Sequence, residues 1–144
     1  MTVSSPYFLA RLIDEARADG ITGLVAGAVV TDADRVLLLR RRADDFLGGM
    51  WEVPSGKVEA GETLVEALHR ETTEETGLTI GEVLRYVGHF DYPDSRGGIT
   101  RQFNFAVTVE KTEPIVLTEH DTHQWALPGD LPEVSEAVRM LIAP

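Results

Sequence analysis

Between Thr63 and Gly77 the sequence spells out a helix whose two ends are both marked. Thr63 with Glu66 three residues on is a capping box, and Gly77 followed by Leu78 is the pattern of a Schellman stop. The segment Leu64 to Thr76 is therefore predicted helical, and its phase can be read at roughly 100° per residue. Leu64, Val65, Leu68 and Thr72 define the inward side; Glu66, His69 and Thr73 lie opposite. Glu71 and Glu74 run along one edge of the apolar stripe, and Glu75 falls between Leu64 and Leu68 in angle, so it faces the interior. A buried lone carboxylate costs several kcal/mol unless it is paired or binds metal. Three carboxylates spaced i, i+3 and i+4 also repel one another. A divalent cation removes both penalties, and ligands that are all oxygen favour Mg²⁺ or Mn²⁺ over zinc. Taken alone, the pattern is explained equally well by a solvated acidic helix in which Arg70 bridges to Glu74.

The rest of the chain supplies the frame. Phe8, Leu9, Leu12, Ile13 and Ala16 keep helical spacing within Pro6 to Ala18, and Gly20 ends that helix. Leu24 to Val30 and Arg35 to Leu39 read as a hairpin of buried strands. The stretch Gly48 to Gly61 is loop-like, with the extended piece Trp51-Glu52-Val53 inside it. Extended segments follow at Glu82 to Phe90, Arg101 to Glu110 and His123 to Ala126, the first two joined by a turn at Pro93 to Gly98. Phe103, Phe105, Val107 and Val109 alternate with Gln102, Asn104 and Thr108, which predicts one apolar face. Leu131 to Ile142 reads as a closing helix. This order predicts an α+β fold, one domain over residues 1–144, with a mixed sheet covered by helices on both faces.

Charge and composition narrow the partners. The net charge of -11 argues against a nucleic-acid polymer, whose backbone is bound by clustered Lys and Arg. An acidic site still accepts a phosphorylated small molecule when a cation stands between them. The chain has no cysteine, so disulfides, thiolate chemistry and cysteine-ligated zinc are excluded. Met1 to Ala10 shows no basic region followed by a long apolar run, and no stretch approaches the roughly 18 apolar residues of a membrane span. A cytoplasmic protein without a membrane partner is expected.

The sequence upstream of the helix separates the two explanations for the carboxylates. Gly56, five residues, Glu62, seven residues, then Arg70-Glu71-Thr72-Thr73-Glu74-Glu75-Thr76-Gly77-Leu78 resembles the Nudix box, G-x5-E-x7-R-E-U-x-E-E-x-G-U, over residues 56–78. All seven fixed letters match: Gly56, Glu62, Arg70, Glu71, Glu74, Glu75 and Gly77. A chance match at a given start is roughly one in 10⁸. Thr72 stands at the first bulky apolar position, where its β-branched bulk is expected to change packing only slightly. Trp51 to Glu59 also looks like the segment that leads into the box, with Ser55 where Gly is commoner.

The resemblance implies the family's α/β/α sandwich and metal-assisted attack of water on a diphosphate. It makes Glu71, Glu74 and Glu75 metal ligands, with the Gly56 carbonyl as a further one, and Mg²⁺ or Mn²⁺ the cofactor. Arg70 would orient these carboxylates; Glu62 and Gly77 would support the box. The general base varies in the family: Glu74 and Glu75 are candidates, as is Glu119, six residues before Trp125 with His120 and His123 as neighbours. Among Arg40, Arg41 and Arg42, Arg40 and Arg42 are taken as phosphate contacts, while pairing with Asp44 and Asp45 is the plainer role for two of the three. Phe103, Phe105 and Trp125 are candidates for stacking on a base, although alternating strand aromatics are commonly core, and Asn104 with Gln102 for reading its edges. The implied substrate is a nucleoside triphosphate, oxidised ones included, giving a monophosphate and diphosphate. ADP-ribose or a nucleotide sugar is the alternative; Tyr92-Pro93 does not discriminate between them. A non-catalytic nucleotide-binding regulator is a third class, and a homodimer is compatible with the family.

Overall fold

The computed structural model describes residues 5–143. The reading of Met1 to Ala10 as free of a leader therefore falls partly outside the described residues. The chain runs α1 (Pro6–Ala18), β1 (Gly23–Asp32), β2 (Arg35–Arg41), β3 (Trp51–Glu52), β4 (Ser55–Lys57), α2 (Leu64–Thr76), β5 (Ile80–Pro93), β6 (Ile99–Val109), β7 (His120–Ala126) and α3 (Glu136–Ile142). The strands form a mixed seven-stranded sheet of order β3-β2-β1-β6-β5, with β4 added to β1 and β7 to β2.

β1 divides its pairing along its length. From Gly23 to Val30 it lies parallel to β6, and over Val25 to Gly27 it also pairs antiparallel with β4. Only Thr31 and Asp32 pair with β2, so the expected hairpin is closed for two residues and then splays apart. β2 goes on to pair with β7 along Val36 to Arg41. This divergence leaves the short β4 beside β1, which is where the carboxylate-bearing helix packs.

Alternation along the strands sends apolar side chains to two cores. Ala26, Ala28, Val30, Phe103, Phe105 and Val107 face Leu9, Leu12 and Ala16 of α1 and Leu64, Ala67 and Leu68 of α2. Val29, Val36, Leu38 and Val53 face Val138 of α3 on the other side. The structure is thus α+β, with helices on both faces of the mixed sheet. Among the described residues no helix is long and apolar enough to cross a membrane.

Two expectations are corrected. β6 is buried on both faces, not one: it is a central strand between β1 and β5, and Gln102 and Asn104 are enclosed as well. Their amides bond each other at 2.8 Å, and Asn104 also donates to the Gly88 and Gln102 carbonyls. Gly27 makes this possible, since a Cβ there would run into both amides. The closing helix starts at Glu136 rather than Leu131. Pro132 disfavours helix at Leu131, and the Ser135 hydroxyl caps the helix by accepting from the Val138 N–H. Residues 131–134 instead run beside β3, with the Trp51 N–H donating to the Glu133 carbonyl.

Within α2 one group has no partner. Thr72 is 1% exposed and its hydroxyl makes no hydrogen bond. A buried hydroxyl without a partner costs about 1–3 kcal/mol, and valine has the same shape. Thr72→Val is expected to raise stability by about 1 kcal/mol and the melting temperature by about 3 °C. A lower melting temperature in a thermal scan would refute this account of Thr72.

Candidate active site

The loop before α2 and the helix itself are joined through one guanidinium. Arg70 donates from Nε and Nη2 to the two oxygens of Glu62 at 2.7 and 2.9 Å, and from Nη2 to the Lys57 carbonyl at 2.9 Å. Its Nη1 donates to Glu71 at 2.7 Å and to Glu74 at 3.2 Å. These bonds, with the Glu59 N–H, hold the Glu62 carboxyl down to about 2. Glu71 is shifted upward instead, because its burial outweighs its bond to Arg70.

Glu71 reaches back across the helix to β4. A Cβ at position 56 would collide with the Glu71 carboxylate, so only glycine lets the β4 backbone approach it this closely. Glu75 sits deeper, 5% exposed, where its helical phase directs it. One of its oxygens accepts the Ser55 N–H at 2.6 Å. Burial, only partly offset by that bond and by His120, pushes its carboxyl up to about 7.

Behind Glu75 lies a polar row that the sequence did not disclose. The His120 Nδ1 faces a Glu75 oxygen at 3.7 Å, and its Nε2 is 2.8 Å from Glu52. The other Glu52 oxygen accepts from Arg41 at 3.2 Å, and Arg41 also donates to Asp45 and to the Phe46 carbonyl. Glu52 is the residue missed; Arg41 does pair with Asp45, as one of the sequence readings had it, but its bond to Glu52 was not foreseen. Both share one face of their pairing with Leu39, so strand alternation carried a signal once β2 and β3 were known to be partners.

The remaining predicted residues fall in different places. Glu74 is exposed. Glu119 is also exposed, at the head of β7, near enough that its charge raises both Glu71 and Glu75. Gly77 takes the left-handed conformation (φ 76°) and ends α2. Arg40 pairs with Asp121 at 2.8 Å and lies over the Trp51 ring, while Arg42 donates to the Thr118 carbonyl. Arg42 and Glu119 border one open cavity of about 360 Å³. Phe103 and Asn104 are 1% and 0% exposed, so neither offers a face to a base; a central strand leaves them no opening. Trp125 is half-buried against the α1–α2 core and lines a cavity of about 500 Å³ at the opposite end of β7 from His120.

The arrangement supplies hard oxygen donors on one side of α2: three carboxylates and a glycine backbone pressed against one of them. That donor set suits Mg²⁺ or Mn²⁺. Among the described residues no three acidic or imidazole groups already converge around a single point, because Arg70 draws Glu71 and Glu74 to itself. Glu75 is left without a full countercharge, and in metal-free protein that is a cost to folding. Its folded value near 7 lies above the usual carboxylate value, so the penalty is complete above about pH 7 and absent below about pH 4.5. In EDTA, Glu75→Gln should therefore be more stable than the parent at pH 8, by an amount on the order of 3 kcal/mol, and equal to it at pH 4. Denaturant melts at the two pH values read this directly, and equal stability at pH 8 contradicts it.

Comparison with known proteins places the chain among its relatives. A Proteus vulgaris protein named 8-oxo-dGTP diphosphatase is 38% identical over 92 residues, covering 62% of this chain and 79% of that protein. A Methanocaldococcus jannaschii protein named ADP-ribose pyrophosphatase is 39% identical over 66 residues, 46% of this chain and 38% of its own length. The crystal structure of a MutT NUDIX hydrolase from Burkholderia pseudomallei superposes with a TM-score of 0.72 at 24% identity, covering 83% of this chain and 95% of that one, which shows the shared fold. The family model of the NUDIX domain matches residues 22–139, and the chain belongs to that family.

Proposed function

We propose that this Nudix diphosphohydrolase cleaves a nucleoside triphosphate, oxidised ones included, to a nucleoside monophosphate and diphosphate with the help of Mg²⁺ or Mn²⁺. The observation that carries this reading is the seat of Glu75: a buried carboxylate, beside Glu71 and the Gly56 backbone, with no full countercharge of its own. Glu71, Glu74, Glu75 and the Gly56 carbonyl are the groups that would hold the cation. When bound, it supplies charge neutralisation at the phosphates and activation of water.

The chain's own residues do the rest. Arg70 keeps Glu71 and Glu74 on a common side of α2 and ties the loop at Lys57 and Glu62 to the helix. Glu119, or Glu74, takes a proton from the attacking water; both are solvent-accessible, as a base that touches water must be. The water oxygen then bonds to phosphorus, and the P–O bond on the far side breaks to release diphosphate. Arg42, on the same cavity as Glu119, is the better placed arginine for a phosphate contact. Arg40 is already occupied by Asp121 and Trp51.

The name of the Proteus vulgaris relative supports a triphosphate with an oxidised guanine. The archaeal relative named for ADP-ribose supports a second reading, in which the same carboxylates cut the pyrophosphate of a nucleotide sugar. A non-catalytic regulator is disfavoured by the presence of all the box carboxylates. The test is a screen of triphosphates, oxidised triphosphates and ADP-ribose, with and without Mg²⁺, read by chromatography as nucleoside monophosphate formed. Release that needs metal is expected, and Glu74→Gln or Glu75→Gln should lower kcat by about 10²–10³ or more. Undiminished activity in EDTA, or in both variants, would sink the proposal.

A further inference from the structure

Among the buried polar side chains that the hydrolytic reading leaves without a task, His120 lies against a box carboxylate. His120 opens β7 and is 6% exposed. The register of β7 against β2 slips at this point: Thr122 pairs with Arg40 but His120 pairs with Arg41, leaving Asp121 as the extra residue. A bulge re-aims the side chains around it. Here Asp121 turns out to Arg40, while His120 stays on the inner side with Arg41 and Glu52.

The ring is held from one end only. Its Nε2 meets Glu52 at 2.8 Å, and Glu52 is fixed in turn by Arg41. Its Nδ1 is buried, has no hydrogen-bond partner among the described residues, and lies 3.7 Å from a Glu75 oxygen. The opposite Glu75 oxygen is already engaged by the Ser55 N–H. A histidine kept for packing alone would not leave a buried ring nitrogen unpaired, since that costs stability. Nor does His120 touch substrate or water, being enclosed. What it can do is act through Glu75.

We propose that His120 is a positioning residue, which fixes the orientation of the Glu75 carboxylate from behind and so presets it for a cation. The Ser55 N–H holds one Glu75 oxygen, and the His120 ring stands against the other at 3.7 Å, longer than a hydrogen bond, so that together they restrict rotation about the last side-chain bond. Such partners behind a ligand raise affinity by holding it in place before the ion arrives. The role passes through three elements: β3 through Glu52, β7 through His120 and α2 through Glu75. This inference rests on the metal-dependent reading above.

The two are separable by experiment. Mn²⁺ binding is measured on the intact chain by electron paramagnetic resonance, beside kcat, KM and thermal melts, for the parent, His120→Phe and His120→Asn. Phenylalanine keeps the ring volume but loses both nitrogens; asparagine loses volume but places an amide N–H near the Nδ1 position. The expected result is Mn²⁺ affinity weakened about 10–100-fold in His120→Phe and largely restored in His120→Asn, with the nucleotide KM at saturating metal unchanged. Thermal stability should rank the other way, phenylalanine at or above asparagine. Affinity in His120→Phe within about twofold of the parent, or affinities that follow the melting temperatures, overturns the role of His120 while metal-dependent hydrolysis by the parent stands. A parent that neither binds Mn²⁺ nor hydrolyses any nucleotide removes the underlying reading, and this one with it. Glu52→Gln, which replaces the carboxylate at Nε2 by a neutral amide without changing volume and so loosens the hold on the ring, is expected to weaken Mn²⁺ about fivefold or more and serves if His120→Phe does not fold. Unchanged affinity in Glu52→Gln then overturns the proposal.

Discussion

Arg70 is the residue on which the rest of the site depends. One guanidinium bonds two carboxylates on its own helix, both oxygens of Glu62 in the preceding loop, and the Lys57 carbonyl at the end of β4. Planar donors at fixed angles allow this, and a lysine has no equivalent geometry. Without it, the loop would have no polar tie to α2 from the Lys57 side, and Glu71 and Glu74 would repel one another undamped. The same grip explains why the acidic groups divide into two kinds. Glu62 is satisfied by the protein and sits low at about 2; Glu75, beyond the reach of Arg70, sits high at about 7. The first is paired by the protein; the second is the group that the proposed mechanism assigns to a cation.

The sheet serves this arrangement by diverging. β1 gives most of its length to β6 and β4, and only its last two residues to β2. β4 brings Gly56 under Glu71 and Ser55 under Glu75, while β2, β3 and β7 bring Arg41, Glu52 and His120 to the far side of the same carboxylate. Glu75 is thus enclosed by two groups of strands that pair with each other at the tip of β1.

What was legible in the sequence follows from how local each feature is. The bounds of α1 and α2 are set by Pro6, Gly20, Thr63, Glu66 and Gly77, all within a turn of the helix end they mark, and so could be read directly. The burial of Glu75 is a matter of helical phase and was equally accessible. β4 was not: Pro54-Ser55-Gly56-Lys57 has none of the side chains that favour strands, and it is extended only because β1 lies beside it. The error at α3 was one of periodicity. Leu131 and Val134 do face the core, but from an extended segment beyond the Ser135 cap. Glu52 and Arg41 became visible as site residues only through pairing across strands, and the closure of Asn104 and Phe103 only through the central position of β6.

The parallel pairing of β1 with β6 joins segments far apart in the chain, Gly23 with Thr100 at one end and Val30 with Val107 at the other, whereas the box is closed by neighbours such as Glu59, Glu62, Thr63 and Glu66. Contacts of long sequence separation form slowly, and local ones quickly. The loop and helix can therefore acquire their shape early, with Arg70 already clasping Glu62, while Glu75 still lacks its surroundings. Those surroundings, Ser55 on one side and His120 on the other, exist only when the last strands have docked. In the proposed mechanism, competence to hold an ion would in this sense be a property of the finished sheet, acquired late, although every fixed letter of the box lies within a single short stretch of chain.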